Sequence, residues 1–367
     1  MTSASRPKIA ISLGDPGGIG PEVIVKALAE PEVRKRAHFR ILGAQAPLDA
    51  AAHLAGIEPF WWRVAPNTPP AETASVHDVV LLDYEPGGQV HPPRVTKSGG
   101  ELSFRFVDEA IAQAKLPTSH PLHADAIVTG PINKAAWAKA GHSQFPGHTE
   151  LLAQRFNVKH FGMMFHASGA PSPRQGVGGG LAFATGTSEL QFKFSHDLNV
   201  ILATAHIPLM DVRNVLTIGR VSDAIDLGSD ACKKLGIARP RIAVCGLNPH
   251  AGEDGLLGDE DQRLIEPAIK IARNNGIEVS GPYPADTIFI SALQGKFDLV
   301  VAMYHDQGLI PVKLLARDRA VNITVGLPVI RTSPDHGTAF DIAGKNLADP
   351  GSTRSAILLA LRMLAAR

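Results

Sequence analysis

Three histidines carry the sharpest chemical signal in this 367-residue chain. His206 stands in Ala205-His206-Ile207-Pro208. His250 stands in Gly246-Leu247-Asn248-Pro249-His250-Ala251-Gly252, and His305 in Met303-Tyr304-His305-Asp306-Gln307-Gly308. Each comes at the end of a short apolar run that reads as a strand: Asn199–Thr204, Arg241–Gly246 and Leu299–Met303. In open α/β sheets, ligands collect beyond the carboxyl ends of the strands. Three imidazoles at three such ends can therefore meet at one point, whatever their separation in sequence. With an open fourth position they describe a catalytic divalent-metal site. The competing reading is three unrelated histidines, each hydrogen-bonded in a loop or core, a role neutral imidazole often fills. On residues alone both readings stand.

Other polar residues sit in equally specific surroundings. Gly147-His148-Thr149-Glu150 opens a helical stretch, Glu150–Arg155. Thr149 either caps that helix or joins His148 in hydrogen bonds to a polar substrate. Asp286 lies in Pro284-Ala285-Asp286-Thr287, Lys313 in Ile310-Pro311-Val312-Lys313 and Asn322 in Val321-Asn322-Ile323-Thr324. Arg331 ends the apolar run Leu327–Ile330. A cation on an apolar strand is costly to bury without a partner. Arg331 thus reads as a bidentate ligand for phosphate or carboxylate, or as half of a salt bridge to Asp335. Lys313 is either a second anion ligand or a solvated surface lysine. Asp335-His336 is either a relay pair or the ordering element of a turn. The turn Gly14-Asp15-Pro16-Gly17-Gly18-Ile19-Gly20-Pro21-Glu22 follows a strand and opens a helix. It suits a close approach of backbone to an anion, yet it matches neither a Walker loop nor GxGxxG. A plain strand-to-helix turn is the alternative.

The elements that must position these residues alternate along the chain. Strands are predicted at Ile9–Leu13, His38–Gly43, Val79–Tyr84 and Ala124–Thr129, besides the three that precede the histidines. Helices are predicted at Pro21–Glu30, Ala46–Ala55, Gly100–Leu116, Ser222–Leu235, Asp261–Asn274 and Ser352–Ala366. Strands alternating with helices predict an α/β fold with mostly parallel strands. The segment His166–Gly180, with Pro171, Pro173 and Gly178-Gly179-Gly180, reads as an exposed loop or hairpin.

Composition narrows the class. A hydrophobic fraction of 44% gives enough apolar surface for two cores, and the length suits two domains. A formal net charge of +1 argues against nucleic-acid or anionic-membrane binding, so an anionic ligand must be held by a few placed cations. Cys232 and Cys245 form no CxxC pair and fit a reducing compartment. Without an apolar leader or a run of about 20 apolar residues, a cytoplasmic location is expected.

The blocks GDPGGIGPE, GPINK, GHTE, HIPL, GLNPHAGE, GPYPADT, MYHDQGLIPVK and VNITVGLPVIRTSPDHGTA occur in unbroken order from Ile9 towards the C-terminal helix. Together they resemble the 4-hydroxythreonine-4-phosphate dehydrogenase family. The resemblance implies two α/β/α domains with a cleft between them, in an isocitrate/isopropylmalate dehydrogenase-like arrangement. The first would comprise residues 1–140 and 330–367, and the second, carrying metal ligands and dimer contacts, residues 141–329. It implies a homodimer with the active site at the subunit interface. It assigns a divalent metal (zinc, magnesium or cobalt) to His206, His250 and His305, and substrate contacts to His148, Thr149, Asp286, Lys313, Asn322 and Arg331. The implied reaction is oxidation of 4-phosphooxy-L-threonine at C3 by NAD or NADP, then decarboxylation to 3-amino-2-oxopropyl phosphate, which feeds pyridoxal phosphate synthesis. Lys313 and Asp286 are the candidates for the general base; residues holding the nicotinamide cofactor are not assigned.

One departure stands out. Between Ala167 and Leu198 a Gly/Pro-rich stretch lengthens a connection that is short in the family. Surface loops accept insertions cheaply, but this one lies close in sequence to His206. It opens a second expectation, a related dehydrogenase acting on a sugar-acid phosphate of the threonate 4-phosphate type or on an aromatic cis-dihydrodiol. The missing dinucleotide fingerprint motivates a third, a metal-dependent hydrolase or lyase.

Overall fold

The buried strands of this chain are continuous apolar runs, such as Lys-Ile-Ala-Ile-Ser and Val-Val-Leu-Leu-Asp, which suit parallel sheets covered on both faces. A computed structural model describes residues 6–66, 68, 77–169, 194 and 196–366. Its strands are β1 Lys8–Ser12, β2 His38–Gly43, β3 Trp62–Val64, β4 Val79–Asp83, β5 Ala126–Thr129, β6 Gly162–Ala167, β7 Leu198–Leu202, β8 Ile242–Cys245, β9 Val279–Tyr283, β10 Leu299–Ala302, β11 Val321–Val325 and β12 Ile330–Pro334. The chain forms two compact units, one of residues 1–159 with 327–365 and one of residues 160–326. Both are α/β, as expected.

The first unit holds strands in the order β3-β4-β2-β1-β5-β12, all paired in parallel. It includes the helix His148–Arg155. The long helix Lys97–Lys115 begins where the Thr96 hydroxyl accepts from the Gly99 N–H at 3.0 Å. The glycine turn meets a packing demand. Gly14 has φ +81°, and a Cβ there would collide with the Pro131 carbonyl, as one at Gly20 would with that of Leu13. Gly14 lets the ends of β1 and β5 approach closely, and Gly20 lets the following helix start against the end of β1.

The second unit runs β11-β6-β7-β10-β8-β9. The strands β7, β10, β8 and β9 are mutually parallel, while β6 is antiparallel to both neighbours. The helix Ile218–Lys234 is capped by Thr217, and it buries Val221, Ala224, Ile225, Gly228 and Cys232 along one stripe. Phe165, Val200, Leu202, Ala243, Val300 and Leu309 belong to this unit's core. His166 lies inside β6, buried, with Nδ1 hydrogen-bonded to Asn199 at 2.8 Å. The irregular segment expected from His166 onward therefore starts only after Ala167, because β6 finds partners on both sides. The rest of that segment, from Ala170, lies outside the described residues. Cys232 and Cys245 are free, and burial pushes both thiols up to about 12.

Candidate functional site

Strand order in the second unit places the histidines. His206 follows β7, His305 follows β10, His250 follows β8 and Asp286 follows β9, and these four strands are adjacent and point the same way. Neighbouring strands are about 4.8 Å apart, so four chemically active side chains leave one edge of the sheet. The His206 and His305 ring centroids are 5.7 Å apart. Two imidazoles bound to one ion at about 2.1 Å each, in tetrahedral geometry, have centroids about 5 Å apart. That pair fits shared ligation closely.

The third imidazole is held differently. His250 begins a left-handed turn, with φ of 53°, 56°, 82°, 41° and 54° from His250 to Asp254. Four of these residues carry side chains, and left-handed backbone costs each about 1–2 kcal/mol. The buried Asp261 carboxylate anchors the turn's entry, accepting from Leu247 N at 2.8 Å, Asn248 N at 3.2 Å and Asn248 Nδ2 at 2.9 Å. Glu260 accepts from the same amide at 2.9 Å. His206 has φ 53° as well. Among the described residues, no three His, Cys, Asp or Glu side chains are grouped so as to hold an ion. His206 and His305 are brought together, and His250 is not grouped with them.

The donor chemistry nevertheless fits a metal. His250 Nδ1 is 2.5 Å from Glu253 Oε1, and His305 Nδ1 is 2.7 Å from Asp306 Oδ1. A carboxylate on one ring nitrogen fixes the tautomer that leaves the other as ligand, here Nε2 in both cases. The Glu253 hydrogen bond and charge raise the pKa of His250, with Asp286 adding to the effect. Asp286 and Lys313 are exposed, Lys313 eight residues into the helix His305–Ala316. Asn322 is not at a strand end. It pairs in register with Phe165, inside β11, and its buried Oδ1 has no hydrogen-bond partner among the described residues.

A separate cluster forms in the first unit. Arg331, on β12 and 2% exposed, donates from Nη2 to Thr129 Oγ1 at 2.6 Å. Burial lowers its pKa to about 9, with Glu150 pulling the other way, so it remains a cation at neutral pH. His148 starts the helix His148–Arg155, packs edge-on against Trp137 and has a buried Nε2 with no hydrogen-bond partner among the described residues. Burial first, then the charges of Arg331 and Lys134, hold it neutral. Thr149 is buried beside it, and the Gly147 preceding the helix makes no side-chain cap. Arg331 and Lys134 thus bring positive charge to bear on a neutral His148, chemistry that suits an anion. Lys134 was not among the residues singled out in sequence, although the Gly130-Pro131-Ile132-Asn133-Lys134 turn contains it. A cavity of about 600 Å³ in the same unit borders the glycine turn, with Glu22, Asp49, His53 and His91 among its lining and no lysine or arginine. Its charge is wrong for phosphate.

Histidines held neutral by partial burial give a pH prediction. Burial holds His38, His148 and His336 below their ordinary 6.5. Below that value the unfolded chain binds protons the folded chain refuses, so stability falls as pH falls from there and is recovered above it. The denaturation midpoint is expected to drop between about pH 7 and pH 5. His148→Gln should flatten the slope by up to one proton, about 1.4 kcal/mol per pH unit. An unaltered slope in that variant contradicts a neutral His148.

Comparison with known proteins identifies the family. The family model described as "Pyridoxal phosphate biosynthetic protein PdxA" matches residues 35–360. A 4-hydroxythreonine-4-phosphate dehydrogenase of Synechococcus sp. (strain JA-2-3B'a(2-13)) is 40% identical over 374 residues, covering 99% of this chain and 98% of that protein. A D-threonate 4-phosphate dehydrogenase of Cupriavidus necator is 42% identical over 355 residues, covering 96% and 95%. Among solved structures, the 4-hydroxythreonine-4-phosphate dehydrogenase of Klebsiella pneumoniae superposes with a TM-score of 0.77 at 37% identity, covering 98% of this chain and 100% of that one. A terephthalate 1,2-cis-dihydrodiol dehydrogenase of Burkholderia xenovorans LB400 gives 0.61 at 26% identity, covering 97% and 98%. With its family model spanning most of the sequence and relatives matching nearly end to end, the chain belongs to the PdxA family.

Proposed function

We propose that the chain is an NAD(P)-dependent, divalent-metal-assisted dehydrogenase that oxidises 4-phosphooxy-L-threonine at C3 and decarboxylates the product to 3-amino-2-oxopropyl phosphate. The observation that carries this reading is the pairing of His206 and His305 at adjacent strand ends, 5.7 Å apart. When bound, the ion would polarise the substrate's hydroxyl oxygen and then its keto oxygen, and the nicotinamide would take up the hydride. His206, His250 and His305 would hold the ion through neutral imidazole. Arg331 and Lys134 would neutralise an anionic group of the substrate, and His148, kept uncharged, would hydrogen-bond it without adding charge. Asp286 and Lys313 are the base candidates for the hydroxyl proton, with Thr149 and Asn322 as further polar contacts.

A second reading keeps the chemistry and changes the substrate to D-threonate 4-phosphate, favoured by the 42% identity to the Cupriavidus necator enzyme. Both relatives' names give dehydrogenases, which leaves the hydrolase or lyase reading without support. A homodimer completing the site is part of the proposal. Exposed apolar side chains adjoin each histidine in sequence: Leu209 and Met210, Leu256 and Leu257, Ile310 and Leu314. Burial of such apolar surface in a subunit contact would support that reading. A cytoplasmic setting fits the family's biosynthetic description; no helix among the described residues is long and apolar enough to cross a membrane.

The test is NADH or NADPH formation with 4-phosphooxy-L-threonine, D-threonate 4-phosphate and a cis-dihydrodiol in parallel, before and after chelation. The expected result is fastest turnover with the first substrate, lost on chelation and restored by zinc, magnesium or cobalt. Preference for the threonate ester moves the assignment to the second reading. Turnover indifferent to chelation removes the metal, and sedimentation of the active species as a monomer removes the shared site.

A further inference from the structure

We infer that Gln307 is a positioning residue for the histidine ligands, tying together the strand ends that carry His305 and His250. The inference rests on the metal reading above. Gln307 Oε1 accepts from Met303 N at 2.6 Å, and its Nε2 donates to the Gly246 carbonyl at 2.8 Å. The Met303 carbonyl in turn accepts from Thr204 Oγ1 at 2.6 Å, and Gly246 N donates to the Tyr283 carbonyl at 2.8 Å. One hydrogen-bonded line thus crosses the ends of β7, β10, β8 and β9, through Thr204, Met303, Gln307, Gly246 and Tyr283. His206 lies two residues beyond Thr204, His305 two beyond Met303, His250 four beyond Gly246 and Asp286 three beyond Tyr283.

Helix capping does not account for Gln307. It is the third residue of the helix His305–Ala316, whose N-cap is Tyr304. A glutamine there ordinarily folds back onto the N-cap's own N–H. This one accepts from Met303, one residue earlier, and spends its amide nitrogen on a carbonyl 61 residues away. Both ends of the side-chain amide are engaged, so its orientation is fixed. It sets the spacing between two loops whose metal-binding atoms are carried only a few residues further on. Groups that hydrogen-bond a ligating side chain directly change metal affinity about 10–100-fold, which bounds from above the effect of a residue acting through the backbone.

The experiment measures Co²⁺ binding to the full chain by equilibrium dialysis and by the visible absorption of the bound ion, with the thermal midpoint recorded alongside. Gln307→Leu removes both hydrogen bonds at similar volume. Its Co²⁺ dissociation constant is expected to rise within that bound, by up to about 100-fold, with an altered absorption band. Gln307→Glu retains the acceptor for Met303 but sets a carboxylate against the Gly246 carbonyl, and should lie between Gln307→Leu and the unsubstituted chain. A Gln307→Leu chain with unaltered dissociation constant and band overturns the inference, however its thermal midpoint moves. If that variant does not fold, Gln307→Glu decides: weakened Co²⁺ binding supports the inference, and unaltered binding overturns it. Failure of the unsubstituted chain to bind Co²⁺ sinks the metal reading and this inference together. Loss of binding in His305→Ala with unaltered Co²⁺ affinity in every Gln307 variant sinks this inference alone.

Discussion

His250→Ala is expected to lose most bound metal and on the order of 10³-fold in kcat/KM, since several kcal/mol of charge stabilisation depend on the ion. The fold should survive. The His250 side chain is 60% exposed and its recorded hydrogen bond is to the neighbouring Glu253. Surface substitutions of that kind shift stability by about 0.5 kcal/mol or less. His206→Ala and His305→Ala should behave alike. Metal content by elemental analysis, set beside the thermal midpoint, checks the set. A variant that retains its metal and its turnover removes that histidine from the ligand group.

Arg331→Met should separate function from stability in the opposite direction from an ordinary core substitution. Arg331 is nearly fully buried, on a strand, with its guanidinium hydrogen-bonded to Thr129. Removing the buried charge relieves its desolvation cost but leaves Thr129 without its donor, two effects of similar size and opposite sign. The thermal midpoint should therefore hold while kcat/KM for the phosphorylated substrate falls about 10²–10³-fold, the value of a lost charge-assisted pair. Arg331→Lys keeps the charge without the planar fork and should recover only part of the loss. Parallel falls in midpoint and activity would mark Arg331 as structural support instead of an anion ligand.

The sequence made the histidines visible for a simple physical reason. Each lies a few residues past a run such as Leu299–Ala302 that is wholly buried, and a buried parallel strand has a recognisable composition. Likewise β2 was legible to the residue, His38–Gly43, because a turn at Lys35–Arg36 precedes it and a helix starts two residues after it, at Gln45. The antiparallel direction of β6 was not legible, since periodicity carries no strand direction. Thr204, Gln307, Asp261 and Lys134 also escaped notice. Thr204 and Gln307 act through bonds to segments 99 and 61 residues away, and a Thr or Gln near a strand end is unremarkable until its partner is known. Arg331 was conspicuous because a cation in an apolar run is rare, yet its partner Thr129 lies 202 residues away.

The left-handed turn at His250 has a consequence for how damage there would be seen. A backbone held in an unfavourable shape by a few bonds to Asp261 has little room to deform gradually; it keeps that shape or leaves it. Weakening the anchor would then divide the molecules into two populations, one fully competent and one inert. Counting competent sites by a single-turnover burst, rather than averaging a rate over all molecules, would reveal the split: fewer molecules working, each at its normal speed.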